Sequence, residues 1–442
     1  MRTIANTVQW ILKGKSSGSA TLQTLLVGLL VLATNVLTGI ITARTLGPVG
    51  RGEQAAMILW PQFLAYTLTL GLPRALLYNL KCHPDEESDL LSAALVLSTA
   101  MSIVAILVGV IFIPQWLAQY SAEAIYFAQW FMLAAPLNLL GVTFTAALEA
   151  RSEFTFANQV RYLAPLLTLV ILGGLLAARA LTPFTAGLAY ALPGLPILFW
   201  LLTHFWSQLH PHWQRLGVAF KRLTSYGLRA YGIDLLGALS GQIDQALVVG
   251  LLAPASMGMY VVALSLSRML RVLQNSIVTV LFPKVTARPV EEVVMLVGRA
   301  MRVSLTLTLL ASISVMLLGP VVLRLLYGSE YLGAVPVFRI LLVEVVVGGA
   351  TWVLAQAFMA LGRPGTVAIL QGIGLGLSIP LMLLLIPTYG LVGAGLALLG
   401  STTVRLVFVL ISYPLILKVR PPGLLITKKD VQFVQQMLLA KA

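Results

Sequence analysis

Residues 89–113 read DLLSAALVLSTAMSIVAILVGVIFI, and beyond Asp89 the run carries no charged side chain. A helix crossing a bilayer needs about 20 mostly apolar residues, because hydrocarbon offers backbone N–H and C=O groups no partner outside the helix. This stretch meets that requirement alone. Moving outward with the same window gives spans near 21–43, 53–79, 122–148, 154–178 and 182–206. Beyond the polar stretch Ser207–Thr224, a second series lies near 225–251, 256–282, 298–323, 331–360, 364–387 and 390–417. The predicted fold is therefore an all-α polytopic membrane protein with about 12 transmembrane helices. The connections are too short to hold a folded domain outside the bilayer.

The remaining composition agrees. Of 442 residues, 59% are hydrophobic and 10% charged, against about 25% charged in soluble domains. This excludes a soluble enzyme, a secreted disulfide scaffold and a disordered tail protein. Cys82 is the sole cysteine, so neither an internal disulfide nor a cysteine metal site can form. No cleavable signal is read in the first 20 residues. Ile4, Val8 and Ile11 instead repeat at helical spacing, as do Val431, Val434 and Leu438 within Thr427–Ala440, and both stretches suit a helix lying on the membrane surface. Lys and Arg total 29 and Asp and Glu 15, a net +14. With the N-terminus inside, seventeen basic residues fall on the cytoplasmic side, and the outside keeps Arg44, Arg51, Arg179 and Arg324. Basic residues accumulate in cytoplasmic loops, so both termini are expected in the cytoplasm, and much of the +14 reports topology rather than nucleic-acid binding.

Weak self-similarity divides the chain. Leu46-Gly47-Pro48 with Gly52 recurs as Leu252-Ala253-Pro254 with Gly258, at an offset of 206. Ala186-Gly187-Leu188-Ala189 recurs as Ala394-Gly395-Leu396-Ala397, and Arg151 matches Arg363. Two six-helix bundles in one orientation follow, related by a pseudo-twofold axis along the membrane normal, with a cavity between them. The expected order is a cytoplasmic segment 1–20, a bundle 21–206, a cytoplasmic linker 207–224, a bundle 225–417 and a cytoplasmic tail 418–442. Prolines within or beside the spans, among them Pro73, Pro136, Pro165, Pro193, Pro196 and Pro380, would loosen helices that bend.

Eight basic residues lie inside the predicted spans, and all are arginine: Arg74, Arg161, Arg229, Arg268, Arg271, Arg302, Arg339 and Arg405. A charge at that depth must face protein or water. Arg74, Arg229 and Arg302 lie near cytoplasmic ends, where long side chains reach the interface. Arg161 is intermediate. Arg268 and Arg271, three residues apart, are expected on one helix face; Arg405 is mid-span and Arg339 lies in the outer half of its span. The deep acids are Asp234, Asp244 and Glu344, with Glu53 and Glu149 at span ends. A structural ion pair is the alternative for each arginine, yet eight against three leaves surplus positive charge. Guanidinium grips phosphate bidentately where ammonium offers a point charge, so the expected ligand is a phosphate or pyrophosphate held by Arg268, Arg271, Arg339, Arg405, Arg74 and Arg161. Asp234, Asp244 and Glu344 are the candidates for a coupling H⁺ or Na⁺, since burial perturbs carboxylate protonation.

Other signals carry no chemistry. Gly14-Lys15-Ser16-Ser17-Gly18 matches a nucleophile pattern but lies in a polar lead-in with no strand before it. His210 and His212 lack a third ligand nearby. No catalytic constellation, metal site or cofactor motif is read, and the chain is expected not to be an enzyme.

Residues Ala43–Glu53, Leu70-Gly71-Leu72-Pro73, Gly258-Met259-Tyr260 leading to Phe282-Pro283, Leu326–Tyr331, Ala360–Pro364 and Ile386–Ala394 resemble, in order, bacterial polysaccharide (O-antigen) flippases. These belong to the multidrug/oligosaccharidyl-lipid/polysaccharide exporter superfamily. The resemblance implies two bundles in a V with a central cavity, and residence in the bacterial cytoplasmic (inner) membrane. It also implies export of an undecaprenyl-pyrophosphate-linked oligosaccharide by alternating access with cation coupling. The implied partners are that lipid-linked substrate, membrane lipids, the coupling cation and polysaccharide assembly proteins. Two rivals remain: a multidrug/cation antiporter of the same superfamily, which would want an acidic cavity, and a membrane polymerase or glycosyltransferase, which would want a longer external loop.

Overall fold

The computed structural model describes residues 17–206, 213–286 and 288–425. The surface-helix stretches at Ile4–Ile11 and Thr427–Ala440, and the His210/His212 pair, lie outside the described residues. The described chain is helical throughout, without a strand. In order the helices are α1 (Ser17–Thr67), α2 (Leu72–Cys82), α3 (Glu87–Trp116), α4 (Ala122–Phe131), α5 (Ala135–Ala150), α6 (Phe154–Ala177) and α7 (Pro183–Ala191). They continue as α8 (Gly194–Phe205), α9 (Trp213–Leu251), α10 (Pro254–Arg268), α11 (Arg271–Val285), α12 (Val290–Leu326), α13 (Val335–Ala360) and α14 (Pro364–Ser412).

Nine helical segments among the described residues are long and apolar enough to cross a membrane. Two of these are double: α1 turns at Gly47 (φ 65°) and α14 at Gly390 (φ 57°). The remaining predicted span, 225–251, lies in α9, which runs 39 residues and is not among those nine. The twelve expected spans are thus recovered with altered joints. The second breaks between Thr67 and Leu72, and the eighth breaks between Arg268 and Arg271.

The chain divides into two compact units. The first takes the described residues up to Gln242 together with Ala253–Gly258, and the second takes Ile243–Leu252 with the described residues from Met259. The chain is already helical from Trp213, and α9 stays with the first unit through Gln242.

In the first unit α1 packs along α4, α5, α6 and α7. Its core gathers Leu76, Leu90, Phe144, Leu201 and Phe205, all fully buried. The predicted repeat meets itself here. A Cβ on Gly52 would overlap the Pro254 carbonyl and lie 3.1 Å from Gly258 N, and a Cβ on Gly258 would overlap the Pro48 carbonyl and lie 3.1 Å from Gly52 N. Positions offset by 206 make the same contact with each other, so two helix starts touch backbone to backbone where only glycine fits. In the second unit α13 is the central helix, flanked by α12 and α14. Its core includes Val293, Met301, Leu354, Phe358 and Tyr413.

Candidate functional site

The break in the second span is made by Leu70 (φ 49°) and Gly71 (φ 71°), with Pro73 in the first turn of α2. Left-handed backbone here lets the chain restart close against α9: a Cβ on Gly71 would overlap the Gly227 carbonyl. The carbonyls ending a helix lack intrahelical partners, and Tyr231 donates its hydroxyl to that of Thr67. Below the break Arg74 pairs with Asp234 of α9, Tyr78 stacks on Tyr226 at 4.3 Å, and Arg222 meets Glu86 at 2.9 Å. A cavity of ≈250 Å³ beside this seam is lined by Tyr66, Thr69, Arg74 and Asp234.

A larger cavity of ≈460 Å³ lies within the same unit, walled by α1, α5, α6, α7 and α8. Arg161 lines it together with Gln62, Tyr66, Asn138, Thr145 and Tyr190. Arg161 has no hydrogen-bond or ion-pair partner among the described residues.

Two carboxylates anchor the second unit. Asp244, 1% exposed, accepts at Oδ2 from Arg268 Nη2 (3.0 Å) and from the Tyr260 hydroxyl (3.0 Å). Glu344 of α13, 6% exposed, accepts from Arg271 Nη2 at Oε2 (3.4 Å) and from the Thr402 hydroxyl at Oε1 (3.1 Å). One turn beyond Arg271, Gln274 donates to the Val345 carbonyl at 2.9 Å, tying α11 to α13. Arg405, one turn from Thr402, lays its stem across Gly374, and its Nε has no hydrogen-bond partner among the described residues. Arg339, at the start of α13, is exposed and likewise without a partner among the described residues.

Three expectations change. First, the acids expected to carry a coupling cation and the arginines expected to hold phosphate are partners: Asp234 with Arg74, Asp244 with Arg268, Glu344 with Arg271. A buried charge is tolerated when paired, so half of the six arginines offered for pyrophosphate are engaged in ion pairs. Arg161 and Arg339 have no carboxylate partner among the described residues, and Arg405 makes no ion pair but lies in the field of Glu344 and Arg271. Second, Arg268 and Arg271, expected on one helix face, are engaged by different carboxylates. Between them the helix tightens to i→i+3 bonds (Leu270 N to Ser267 O, 3.3 Å; Leu273 N to Leu270 O, 3.1 Å), and each arginine serves a different helix. Third, of the three expected to reach the interface, Arg229 instead folds back onto Ser225 (Nε to its carbonyl, 2.9 Å), and Arg302 reaches the Gly423 carbonyl at 3.3 Å.

Tyr260, Thr402 and Gln274 were missed as partners. Spacing could have flagged the last two, since each sits three residues from a deep arginine and so shares its face.

Comparison with known proteins places this geometry. A family model described as polysaccharide biosynthesis protein matches residues 41–336. No curated protein matches in sequence. Among solved structures, the lipid II flippase MurJ in an inward closed conformation is similar with a TM-score of 0.77 and 13% identity, covering 90% of this chain and 88% of that one. An inward-facing multidrug resistance MATE family transporter of the MOP superfamily is similar with a TM-score of 0.69 and 15% identity, covering 88% and 93%. A MOP superfamily transporter from Pyrococcus furiosus, described as having a binding pocket of reverse polarity, gives 0.57 and 14%, covering 91% and 96%. At these identities the likeness is one of fold.

Proposed function

The chain belongs to the polysaccharide biosynthesis protein family, and on that premise we propose that it is a flippase. Its cargo is an undecaprenyl-pyrophosphate-linked oligosaccharide, carried from the inner to the outer leaflet of a bacterial cytoplasmic membrane by alternating access. The observation that carries the proposal is the division of the deep arginines. Every deep acid is paired with an arginine, and three further arginines make no ion pair of their own: Arg161 in the first unit, Arg339 and Arg405, the last beside the already engaged Glu344, in the second. A guanidinium without an ion pair of its own attracts an anion, and its fork fits phosphate. The lysine and arginine distribution orients both termini to the cytoplasm. Coupling to H⁺ or Na⁺ through Asp244 or Glu344 is part of the same proposal, and each would then exchange its arginine for the cation during the cycle.

Fold likeness to a multidrug transporter also raises a drug antiporter. A cationic drug needs a free carboxylate, and the three deep acids are occupied, which favours the anionic cargo.

The test is transbilayer movement in vesicles reconstituted with the full chain and a fluorescent undecaprenyl-pyrophosphate oligosaccharide. Protein-dependent loss of protection from an external quencher is expected; the same protection as in protein-free vesicles rejects the flippase. Export of cationic dyes in its place would establish the antiporter.

A further inference from the structure

Arg161's cavity adjoins a second, chemically opposite space. A groove of ≈490 Å³ runs along α4, α7 and α8, and its lining is apolar and aromatic, including Tyr126, Trp130, Phe184, Leu192 and Leu195. Trp130, Leu192 and Leu195 are 56%, 42% and 53% exposed, so the groove is open at the surface of the unit and offers an apolar lining suited to hydrocarbon. The two spaces share a wall: Phe131, Ala134, Leu137 and Ala191 line both.

That wall is where two helical spans are interrupted. The fourth passes through a 3₁₀ turn at Met132–Ala134 just before Pro136, and the sixth breaks at Leu192 and Pro193 before α8 begins at Gly194. Proline removes a backbone donor and suits a helix's first turn rather than its interior, so each span restarts beside the shared wall. Small side chains, Ala134 and Ala191, stand at these interruptions.

We propose that this is a lateral portal through the wall of the first unit, in which one lipid binds with its phosphate head at Arg161 and its hydrocarbon chain in the aromatic groove. Charge complementarity selects the head. Arg161 is a cation without a partner among the described residues, surrounded by Gln62, Asn138, Tyr66 and Tyr190, side chains able to donate to and accept from the hydroxyls of a phosphate-linked sugar. The space, within the range of small-molecule sites, admits a head larger than a bare phosphate. A bulk phospholipid would need no such polar recess inside the bundle, so the occupant is the cargo lipid itself; the inference rests on the flippase proposal in that respect. Arg161 lies seven residues into α6, about 10 Å of helix rise. With the cytoplasmic orientation proposed above, the head lies on the inner side and the chain points outward, as in an inner-leaflet lipid about to be moved.

The test uses the full chain in nanodiscs with a polyprenyl pyrophosphate bearing a diazirine near the first isoprene units. Phosphatidylglycerol with a diazirine at similar depth is the second probe. Expected crosslinks fall in residues 126–137 and 188–195, at least tenfold stronger for the pyrophosphate lipid. Arg161→Gln should cut them at least tenfold and Arg161→Lys by less. Ala191→Trp should abolish them by filling the shared wall; if it fails to fold, Leu192→Trp at the exposed rim should reduce them in a folded protein. Equal labelling by phosphatidylglycerol, or crosslinks unchanged in Arg161→Gln, overturns the portal. Crosslinks elsewhere in a protein that still flips its cargo overturn the portal and leave the flippase standing. Crosslinks in the groove without flipping do the reverse.

Discussion

At the scale of single residues, Asp244 shows what an arginine deep in this protein is for. Its carboxylate is buried and takes two hydrogen bonds, from Arg268 and Tyr260. Removing one member of a buried pair strands the other charge, at a cost of about 3–5 kcal/mol. Arg268→Ala should therefore lower the protein's melting temperature and its level in the membrane, and Asp244→Asn in the same chain should restore most of the loss; thermal unfolding in detergent of both singles and the double measures this. An effect of Arg268→Ala on transport with undiminished stability would contradict the pairing. The residue types were legible in the sequence, which shows eight arginines and three acids within apolar runs. The pairings were not, because Arg74 and Asp234 stand 160 positions apart and Arg271 and Glu344 73. Choosing between ligand and ion pair required knowing which helices are neighbours, and periodicity along one helix carries no such information.

At the scale of elements, helical spans are easier to read than their joints. Apolar length set the number of spans, and the motif Leu70-Gly71-Leu72-Pro73 stood out inside one of them. That the motif is an interruption depends on a tertiary contact, the approach of Gly71 to Gly227, which lets two backbones touch. Gly71→Ala asks a side chain to adopt φ 71° and to enter the space of a carbonyl. The conformational part alone costs roughly 1–2 kcal/mol, so a lower melting temperature is expected. Tyr231→Phe, which deletes one hydrogen bond to the Thr67 carbonyl, should cost about 1 kcal/mol. The reciprocal glycines behave alike: Gly52→Ala and Gly258→Ala each drive a methyl into a carbonyl and should lower the melting temperature by similar amounts. If one is tolerated and the other not, the two helix starts do not meet as equivalents. The weak repeat in the sequence was thus a real structural signal, but the contact that explains it joins segments 206 residues apart.

At the scale of the whole molecule, charge is proposed to do two separate jobs, and each can be tested alone. Surface lysines and arginines would orient the chain. Cys82 is the sole cysteine and is exposed, next to Lys81 at the end of α2, so a membrane-impermeant maleimide should label it only after intact cells are permeabilised. Labelling without permeabilisation would reverse the proposed topology. The arginines without an ion pair of their own are proposed to serve the cargo. Arg161 has no carboxylate partner whose charge would be stranded by its loss, and Glu344 beside Arg405 keeps Arg271 and Thr402, so Arg161→Gln and Arg405→Gln should leave melting temperature and membrane level near those of the parent. Transport of the pyrophosphate-linked oligosaccharide should still fall at least tenfold. A charge-assisted bond to phosphate contributes about 1.5–3 kcal/mol, which corresponds to a loss of that size. This is the opposite pattern to Arg268→Ala, where stability falls first. The contrast separates arginines that hold the protein together from arginines that hold its load. Should Arg161→Gln and Arg405→Gln transport as well as the parent, the anionic head would have to be gripped by the paired arginines after all, released from Asp234, Asp244 and Glu344 as the protein changes state.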